Sequence, residues 1–549
     1  MTNKAILTIV NGERYDEIWK RTEPFFIRYA DKCDAELIVL KSCEGYPSPH
    51  WMKFSIYDLL KKEFDRIAFI DADIIIRDDC PSLFDIVPEN EFGIFNEGVY
   101  APRAVCLHEV QKVFGIRLPT WNGNDYYNTG VMVISKRHRH IFKVTSEIKP
   151  LRNAFGEQTY LNMRIINSDV KVHSLNYKFN RMSLMDRVTG VSRLASYIVH
   201  YAGDGDRLLT KMDRDIAQWA NDTPHYNYKQ NVFLWSLGGL GDIVDAEPTI
   251  RYMRETTHKD ANIYLMSYAH ELYDHIDIHH DTKPPEGDFD AVFEYNTHQT
   301  PIDLYSHYGV AFGYHCPHGL CHPVDWVSLS VIARQLPLKD REIKLTYTDE
   351  HLKEVTDACP TPEELVLVHP GRGWPTKTFP AEWWQEVIDG LSKRYKVGII
   401  GKEVREDRGL IDVKCPENGF DFRDKLSRKG LVALIAKAPI LVSNDSAPIH
   451  IAGAFDNWIV FMPTCKHPDL LLPFRNGQVY YKAKALYKKL TEDDERPPPT
   501  EMKGWQVKNL PEGHTIEEYI PDPQTVIDEV LNINLGTPKL VINHKGEGK

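Results

Sequence analysis

Arg66-Ile67-Ala68-Phe69-Ile70-Asp71-Ala72-Asp73-Ile74-Ile75-Ile76 is the stretch on which the reading of this chain turns. Arg66 to Ile70 reads as an apolar strand that ends in two acids. Residues i and i+2 of a strand project to one face, so Asp71 and Asp73 can reach a single cation. A bare Asp-x-Asp is equally a solvated turn. Buried at a strand edge, however, the two carboxylates would be costly without a partner such as a divalent metal.

Outward from this stretch, short β-rich runs alternate with amphipathic segments: Ala5 to Val10, Leu37 to Leu40, Phe92 to Phe95 and Val131 to Ile134. That rhythm predicts an α/β sheet and a first domain over 1–205. Gly203-Asp204-Gly205-Asp206 and Asn221-Asp222-Thr223-Pro224-His225 then mark a polar linker, 206–229. A second beginning follows, in which Val232 to Leu237 runs into Gly238-Gly239-Leu240-Gly241-Asp242 and a helical pattern. This lobe spans 230–345. A further lobe, 346–485, opens with Leu365 to His369 and continues through strands at Val397 to Ile400, Ile440 to Val442 and Trp458 to Phe461. The tail, 486–549, contains Pro497-Pro498-Pro499 and one helical stretch, Thr525 to Leu531.

Composition sets limits. The 549 residues are 42 % hydrophobic and 26 % charged, which excludes disorder as the main state. Sixty-six basic against 78 acidic residues give a formal charge of −12, which argues against adhesion to nucleic acid or anionic membrane. Nine cysteines without a regular framework suggest reduced thiols. The N-terminal run lacks the length and flanks of a signal peptide, and no stretch approaches ~20 apolar residues. The chain therefore reads as cytoplasmic.

The order of features around Asp71 and Asp73 resembles glycosyltransferase family 8, the glycogenin and lipopolysaccharide galactosyltransferase type with a GT-A fold. An upstream lysine stands at Lys53 in Trp51-Met52-Lys53-Phe54. The strand entry Tyr127-Asn128-Thr129-Gly130, preceded by Asp125, is similar to the family's Asn-Ser-Gly. Gly156-Glu157-Gln158 with Asn162 is similar to its Gly-Asp-Gln helix start, and Val199-His200-Tyr201-Ala202-Gly203 to its late histidine segment. The resemblance implies a nucleotide-sugar donor, UDP-linked by preference, and a metal held by Asp71, Asp73 and His200. It also implies transfer with retention, with Gln158 and Asp125 at the reacting sugar and Lys53 and Asn128 on the donor. One imidazole among the ligands tilts the preference from Mg2+ towards Mn2+. Tyr15, with Asn11 or Gly12 nearby, is placed to stack on the nucleobase or simply to pack. Two departures stand out: Glu157 replaces the usual aspartate, and after Gly203 the chain reaches a lysine only at Lys211.

Gly238 to Asp242 between strand and helix lets backbone amides approach an anion or a sugar, or is an ordinary turn. In the last lobe come Val368-His369-Pro370-Gly371, then Gly373-Trp374-Pro375-Thr376-Lys377, and later Ser443-Asn444-Asp445-Ser446-Ala447-Pro448-Ile449-His450. These resemble glycosyltransferase family 9, the ADP-heptose:lipopolysaccharide heptosyltransferases with a two-lobed GT-B fold. The resemblance implies Asp242 as general base with inversion at the anomeric carbon and no metal. A nucleotide-sugar donor, ADP-linked or other, is then bound by Lys377, Asp445, Ser446, Ala447 and His450. The bland alternatives are an exposed Lys377 and a helix-capping Asp242. Where the family shows His-Thr-x-Pro, this chain has Asp245-Ala246-Glu247-Pro248.

The whole is read as an α/β bifunctional glycosyltransferase acting on a glycan such as a surface polysaccharide or lipopolysaccharide core. A modified base of viral DNA is an alternative acceptor, disfavoured by the acidic balance, and a third reading makes one module a catalytically silent binding or scaffolding unit. His315-Cys316-Pro317-His318-Gly319-Leu320-Cys321-His322 is a weak candidate for structural zinc. Oligomeric state is not legible.

Overall fold

A computed structural model describes residues 3–100, 125–144, 156–203, 208–221, 229–236, 239–280, 289–295, 340–402, 409–464, 471–488 and 512–535, with single positions at 103, 106, 205, 468 and 510. The loop 315–322 lies outside these residues. Among them, no helix is long and apolar enough to cross a membrane.

The first unit is built on a six-stranded mixed sheet of order β2-β1-β3-β6-β5-β7. Its strands are β1 (Lys4–Ile9), β2 (Glu36–Leu40), β3 (Arg66–Ile70), β5 (Phe92–Asn96), β6 (Tyr127–Ser135) and β7 (Val172–Ser174). β1 lies parallel to β2 and β3, whereas β6 runs antiparallel to β3 and β5. β3 is buried throughout, because both faces of the sheet are covered and the strand reads as one apolar run. Helix α1 (Glu13–Lys32) covers one face through Trp19, Phe26 and Tyr29. It starts after Gly12, whose φ of 91° suits glycine. Behind the other face lie α2 (Ile56–Lys62) and α3 (Gly156–Ile166).

A small second sheet does the positioning. β4 (Ile74–Ile76) pairs antiparallel with β9 (Ile198–His200), which also takes β8 (Arg181–Met182). The register sets Ile74 opposite His200, so a residue more than 120 positions downstream arrives beside Asp71 and Asp73. Part of the stretch read as linker is helical: α4 (Leu208–Asn221) seats Leu208, Met212 and Trp219 against Ile18, Ile75, Val199 and Tyr201.

Two parallel sheets follow. The first has order β12-β11-β10-β13, from β10 (Asn231–Ser236), β11 (Asn262–Ser267), β12 (His279–His280) and β13 (Ala291–Tyr295), with α5 (Leu240–Tyr252) after β10. Helix α6 (Asp349–Ala358) leads from this lobe into the next. The second sheet, order β18-β16-β14-β19-β20-β21, comprises β14 (Leu365–His369), β16 (Lys396–Ile399), β18 (Phe420–Asp421), β19 (Ile440–Asn444), β20 (Trp458–Met462) and β21 (Ala483–Ala485). β15 (Gly371–Arg372) and β17 (Gly409–Leu410) form a separate short ladder. Around them pack α7 (Ala381–Ser392), α8 (Arg428–Lys437) and α9 (Ala447–Ala452). Trp383 and Trp384 on α7 are core residues. The tail helix α10 (Pro523–Asn532) closes over α7, with Ile527 filling the space left by Gly390, where a Cβ would lie 2.2 Å from Ile527 Cδ1.

The first unit and the β10 lobe share a polar joint. Asp290 receives Arg193 at 2.6 Å, Arg214 at 2.8 Å and the Asn231 N–H at 2.8 Å. Gly190 N–H donates to Thr257 O, and a Cβ at Gly190 would lie 2.6 Å from His258 Cα.

Candidate active sites

At the carboxyl end of β3, Asp71, Asp73 and His200 each offer one ligand atom, and these atoms lie within 4.8 Å of one another. His200 Nε2 is 3.4 Å from Asp73 Oδ1 and 3.8 Å from Asp71 Oδ2. Gly130, on the neighbouring strand, keeps the space between them open: a Cβ there would lie 2.3 Å from His200 Cε1 and 2.9 Å from Asp71 Oδ2. Two carboxylates and one imidazole around a cradle that only glycine leaves free form a donor set that fits a divalent cation such as Mn2+ or Mg2+.

The electrostatics agree with that reading. Burial raises the Asp71 carboxyl against the pull of Lys53 and His200. For Asp73 burial acts in the same direction, but the bond to His200 outweighs it and the pKa is lowered. Burial works against charge on His200, yet the two aspartates raise it. The chain here holds negative charge together at a cost that a cation would offset. Lys53, buried on the turn before α2, supplies one positive charge: its Nζ lies 3.0 Å from Glu157 Oε1, 3.5 Å from Asp71 Oδ1 and 3.0 Å from Thr129 Oγ1. Tyr15 stands at the rim, its phenol pKa raised by burial and then by Asp73 and Asp71.

Thus Lys53, Asp71, Asp73, Glu157, His200 and Tyr15 come together. Asn128 and Gln158 stand one layer behind. Asn128 Oδ1 accepts from Gly130 N–H at 2.9 Å, and Gln158 Oε1 accepts from Thr129 N–H at 3.1 Å. Asp125 lies at the surface, bonded to Asn96 at 3.3 Å, and Asn11 donates to Lys41 O at 2.6 Å. Lys211 is buried and bound to Asp186 at 3.2 Å, inside the polar joint rather than at the donor. Sequence reasoning missed Glu97 and Asn180, which bond to this layer from outside every quoted motif.

The second constellation lies where α5 meets α9. A Cβ on Gly241 would sit 2.8 Å from His450 Cδ2 and 3.6 Å from Ala447 Cα, so the absent side chain permits the crossing. Asp245 and His450, both buried, pair across it at 3.0 Å. Burial opposes charge on His450, but Asp245, then Asp445 and Asp242, raise its pKa. Lys377 meets Asp445 at 2.6 Å and lies 4.5 Å from the Trp374 ring. Asp242 Oδ2 accepts from Gly239 N–H at 2.7 Å, a capping bond in the first turn of α5. Ser446 Oγ lies 2.9 Å from Nδ1 of His369, whose pKa burial lowers to about 4. The predicted residues Asp242, Lys377, Asp445, Ser446, Ala447 and His450 therefore converge, with His369 and Asp245 added by the fold.

Comparison with known proteins gives the frame. Residues 22–205 match glycosyl transferase family 8, and residues 315–480 match glycosyltransferase family 9 (heptosyltransferase). No curated protein matches the chain. Among solved structures, a family 9 glycosyltransferase from Veillonella parvula is 18 % identical over 47 % of this chain and 85 % of its own, with a TM-score of 0.33. The ADP-heptose lipopolysaccharide heptosyltransferase II of E. coli is 13 % identical over 55 % and 98 %, with a TM-score of 0.35. Galactosyltransferase LgtC, crystallised with donor and acceptor sugar analogues, is 17 % identical over 40 % and 97 %, with a TM-score of 0.28.

Both matched families transfer glycosyl groups, and this chain is a glycosyltransferase of α/β fold, with a GT-A module followed by a two-lobed GT-B module. More particularly, it is a fusion of a family 8 unit with a family 9 unit.

Proposed function

We propose that the chain is a bifunctional glycosyltransferase that adds two sugars by different chemistries to one growing glycan, such as a surface polysaccharide or lipopolysaccharide core. The observation that carries the first half is the meeting of Asp71, Asp73 and His200 beside Gly130. These three hold Mn2+ or Mg2+, which when bound supplies Lewis-acid neutralisation of diphosphate charge. Tyr15 and Asn11 take the nucleobase side of a UDP-sugar. Lys53 offsets the acids, while Asn128, Gln158 and Asp125 position the sugar for transfer with retention.

In the second module, Asp242 accepts the proton of the acceptor hydroxyl as its oxygen attacks the anomeric carbon from the opposite face, which inverts the centre. Lys377 and the turn Asp445-Ser446-Ala447, with His450 behind it, bind the departing nucleoside diphosphate of an ADP- or related sugar and stabilise its charge without a metal. The module boundaries follow the same reading: 1–205 for the first, 230–345 and 346–485 for the lobes of the second, and 486–549 as an extension.

A second reading has the GT-B half silent. The Lys377–Asp445 and Asp245–His450 pairs and the capping bond of Asp242 favour it, since each proposed group already has a partner. Mass spectrometry of UDP-, GDP-, ADP- and CMP-sugar hydrolysis by the native chain and its point variants tests both. Two donors consumed, each lost with one set of residues, is the expected result; one donor consumed, lost only on changing Asp73, leaves the second module without activity.

A further inference from the structure

Behind the cation cradle runs a chain of hydrogen bonds whose direction is fixed at each step. Gly130 N–H can only donate, so the Asn128 atom 2.9 Å away is its carbonyl Oδ1. The Asn128 amide nitrogen then faces Glu97 Oε2, at 2.8 Å. The Asn180 atom 2.9 Å from Asn128 Oδ1 must be a donor, its Nδ2. That turns Asn180 Oδ1 to His200 Nδ1, at 2.8 Å, so Nδ1 carries the hydrogen. The lone pair left on a neutral His200 is on Nε2, the atom beside Asp71 and Asp73. Gln158 repeats the pattern: its Oε1 takes Thr129 N–H, and its Nε2 donates to Glu97 Oε1 at 3.3 Å.

Both amides therefore direct their donors at one carboxylate. Glu97 lies just beyond β5 and is 1 % exposed. Arg103 Nε bonds its Oε1 at 2.6 Å and balances its charge. No other arrangement of these atoms satisfies every donor, and a buried group left unsatisfied costs about 1–3 kcal/mol.

We propose that Glu97 is a positioning residue that, through Asn128 and Asn180, holds His200 with Nε2 presented to the cation and Gln158 with its carbonyl on the Thr129 strand entry. The proposal rests on the metal-binding half of the function proposed above. Outer partners of a metal-bound histidine typically carry 10–100-fold in metal affinity.

The test is Mn2+ binding by the full chain without donor or acceptor, read by titration calorimetry and by electron spin-echo modulation from the imidazole nitrogen on Mn2+. Glu97→Gln places an amide nitrogen against amide donors and is expected to weaken Mn2+ binding about tenfold and to diminish the nitrogen modulation. Glu97→Gln with Arg103→Met leaves no guanidinium unpaired, so it keeps the test open if the single variant does not fold. Asn180→Leu, which removes the Nδ1 acceptor, is expected to have the same effect on both readouts. Affinity within twofold of native with unchanged modulation in a folded Glu97 variant overturns the proposal while sparing the metal site. Absence of Mn2+ binding by the native chain overturns the metal site and the proposal together.

Discussion

The two modules arrange their charges in opposite ways. In the GT-A unit, Asp71 and Glu157 share one lysine and His200 turns towards Asp71 and Asp73, so the three acids gather more negative charge than the neighbouring side chains readily balance. In the GT-B unit the charged groups are matched in pairs, Lys377 with Asp445 and His450 with Asp245. The first layout asks for a cation from outside. The second holds its cation in place as Lys377 and releases it only by breaking a pair. A diphosphate entering the GT-B cleft would have to compete with the Asp445 carboxylate, whereas one entering the GT-A cleft would complete a coordination shell.

The most drastic way to break this contrast is to remove a ligand from the first layout. Asp73→Asn should lower the metal-dependent transfer by about 10³-fold or more, since a Lewis acid contributes several kcal/mol to the transition state and each 1.36 kcal/mol is tenfold. Chelation of the native chain by EDTA should reproduce the loss, with the other transfer unchanged in both cases. Product formation from each donor, followed separately, is the measurement. Loss of both activities under EDTA would mean that the second module also depends on metal.

Lys377→Ala strikes the second layout. It deletes the proposed diphosphate cation and leaves Asp445, which is 7 % exposed, without its ammonium. Removal of one transition-state donor of this kind costs about 10²–10³-fold in kcat, and a fall of that size is expected in the metal-independent transfer alone. An unchanged rate would show that the Lys377–Asp445 pair is structural. Lys377→Ala with Asp445→Asn then sharpens the comparison: if the pair only competes with donor, the double variant has a lower KM than the single one.

What the sequence disclosed follows the same division. Most of the strands that were read lie within two residues of their observed bounds, because parallel and doubly covered strands are written as continuous apolar runs: Leu365 to His369 matches β14 end for end, whereas β6 begins four residues before Val131, and β11 and β13 were not read. The cation triad was legible because two of its members lie at i and i+2 and the third in a recognisable late segment. Glu97 and Asn180 were not. Each is one polar residue among many, and its bonding partners exist only once β5 and β6 have paired and the small β4-β9-β8 sheet has brought Asn180 and His200 up to them. The pairing of Asp245 with His450 was hidden for the same reason, its halves lying 205 positions apart. A helix at Leu208–Asn221 escaped notice because its polar flanks read as a linker.

A smaller effect tests whether the cradle depends on a missing side chain. Gly130→Ala would drive a methyl to within 2.3 Å of His200 Cε1 and 2.9 Å of Asp71 Oδ2. Overpacking of this sort costs about 1–3 kcal/mol. A lowered melting temperature together with weakened Mn2+ binding is expected, because the imidazole and the carboxylate must part to admit the methyl. The GT-B counterpart is Gly241→Ala, where the nearest atom, at 2.8 Å, belongs to His450 on the opposite lobe. It should weaken the metal-independent transfer and leave Mn2+ binding as it was. A Gly130→Ala chain that binds Mn2+ normally would show that the triad has room to spare.

The mildest contrast is in the histidines. Burial lowers His138, His258 and His369 to about 4 and keeps them neutral. Unfolded, each titrates near 6.5. Between these values the unfolded chain binds more protons than the folded one, so stability falls as pH drops from about 6.5 towards 4 and is fully present above that window. His450 has the opposite sign: its neighbouring acids raise its pKa although burial opposes them, so its contribution is complete below about 6.5 and fades as pH climbs past its folded value. Melting temperatures of the full chain from pH 7.5 to 5 should therefore decline on the acid side. His369→Gln, which cannot protonate, should flatten that decline, while His450→Gln should flatten the alkaline side instead. Equal slopes in native and His369→Gln chains would mean that His369 has no part in setting the acid limit.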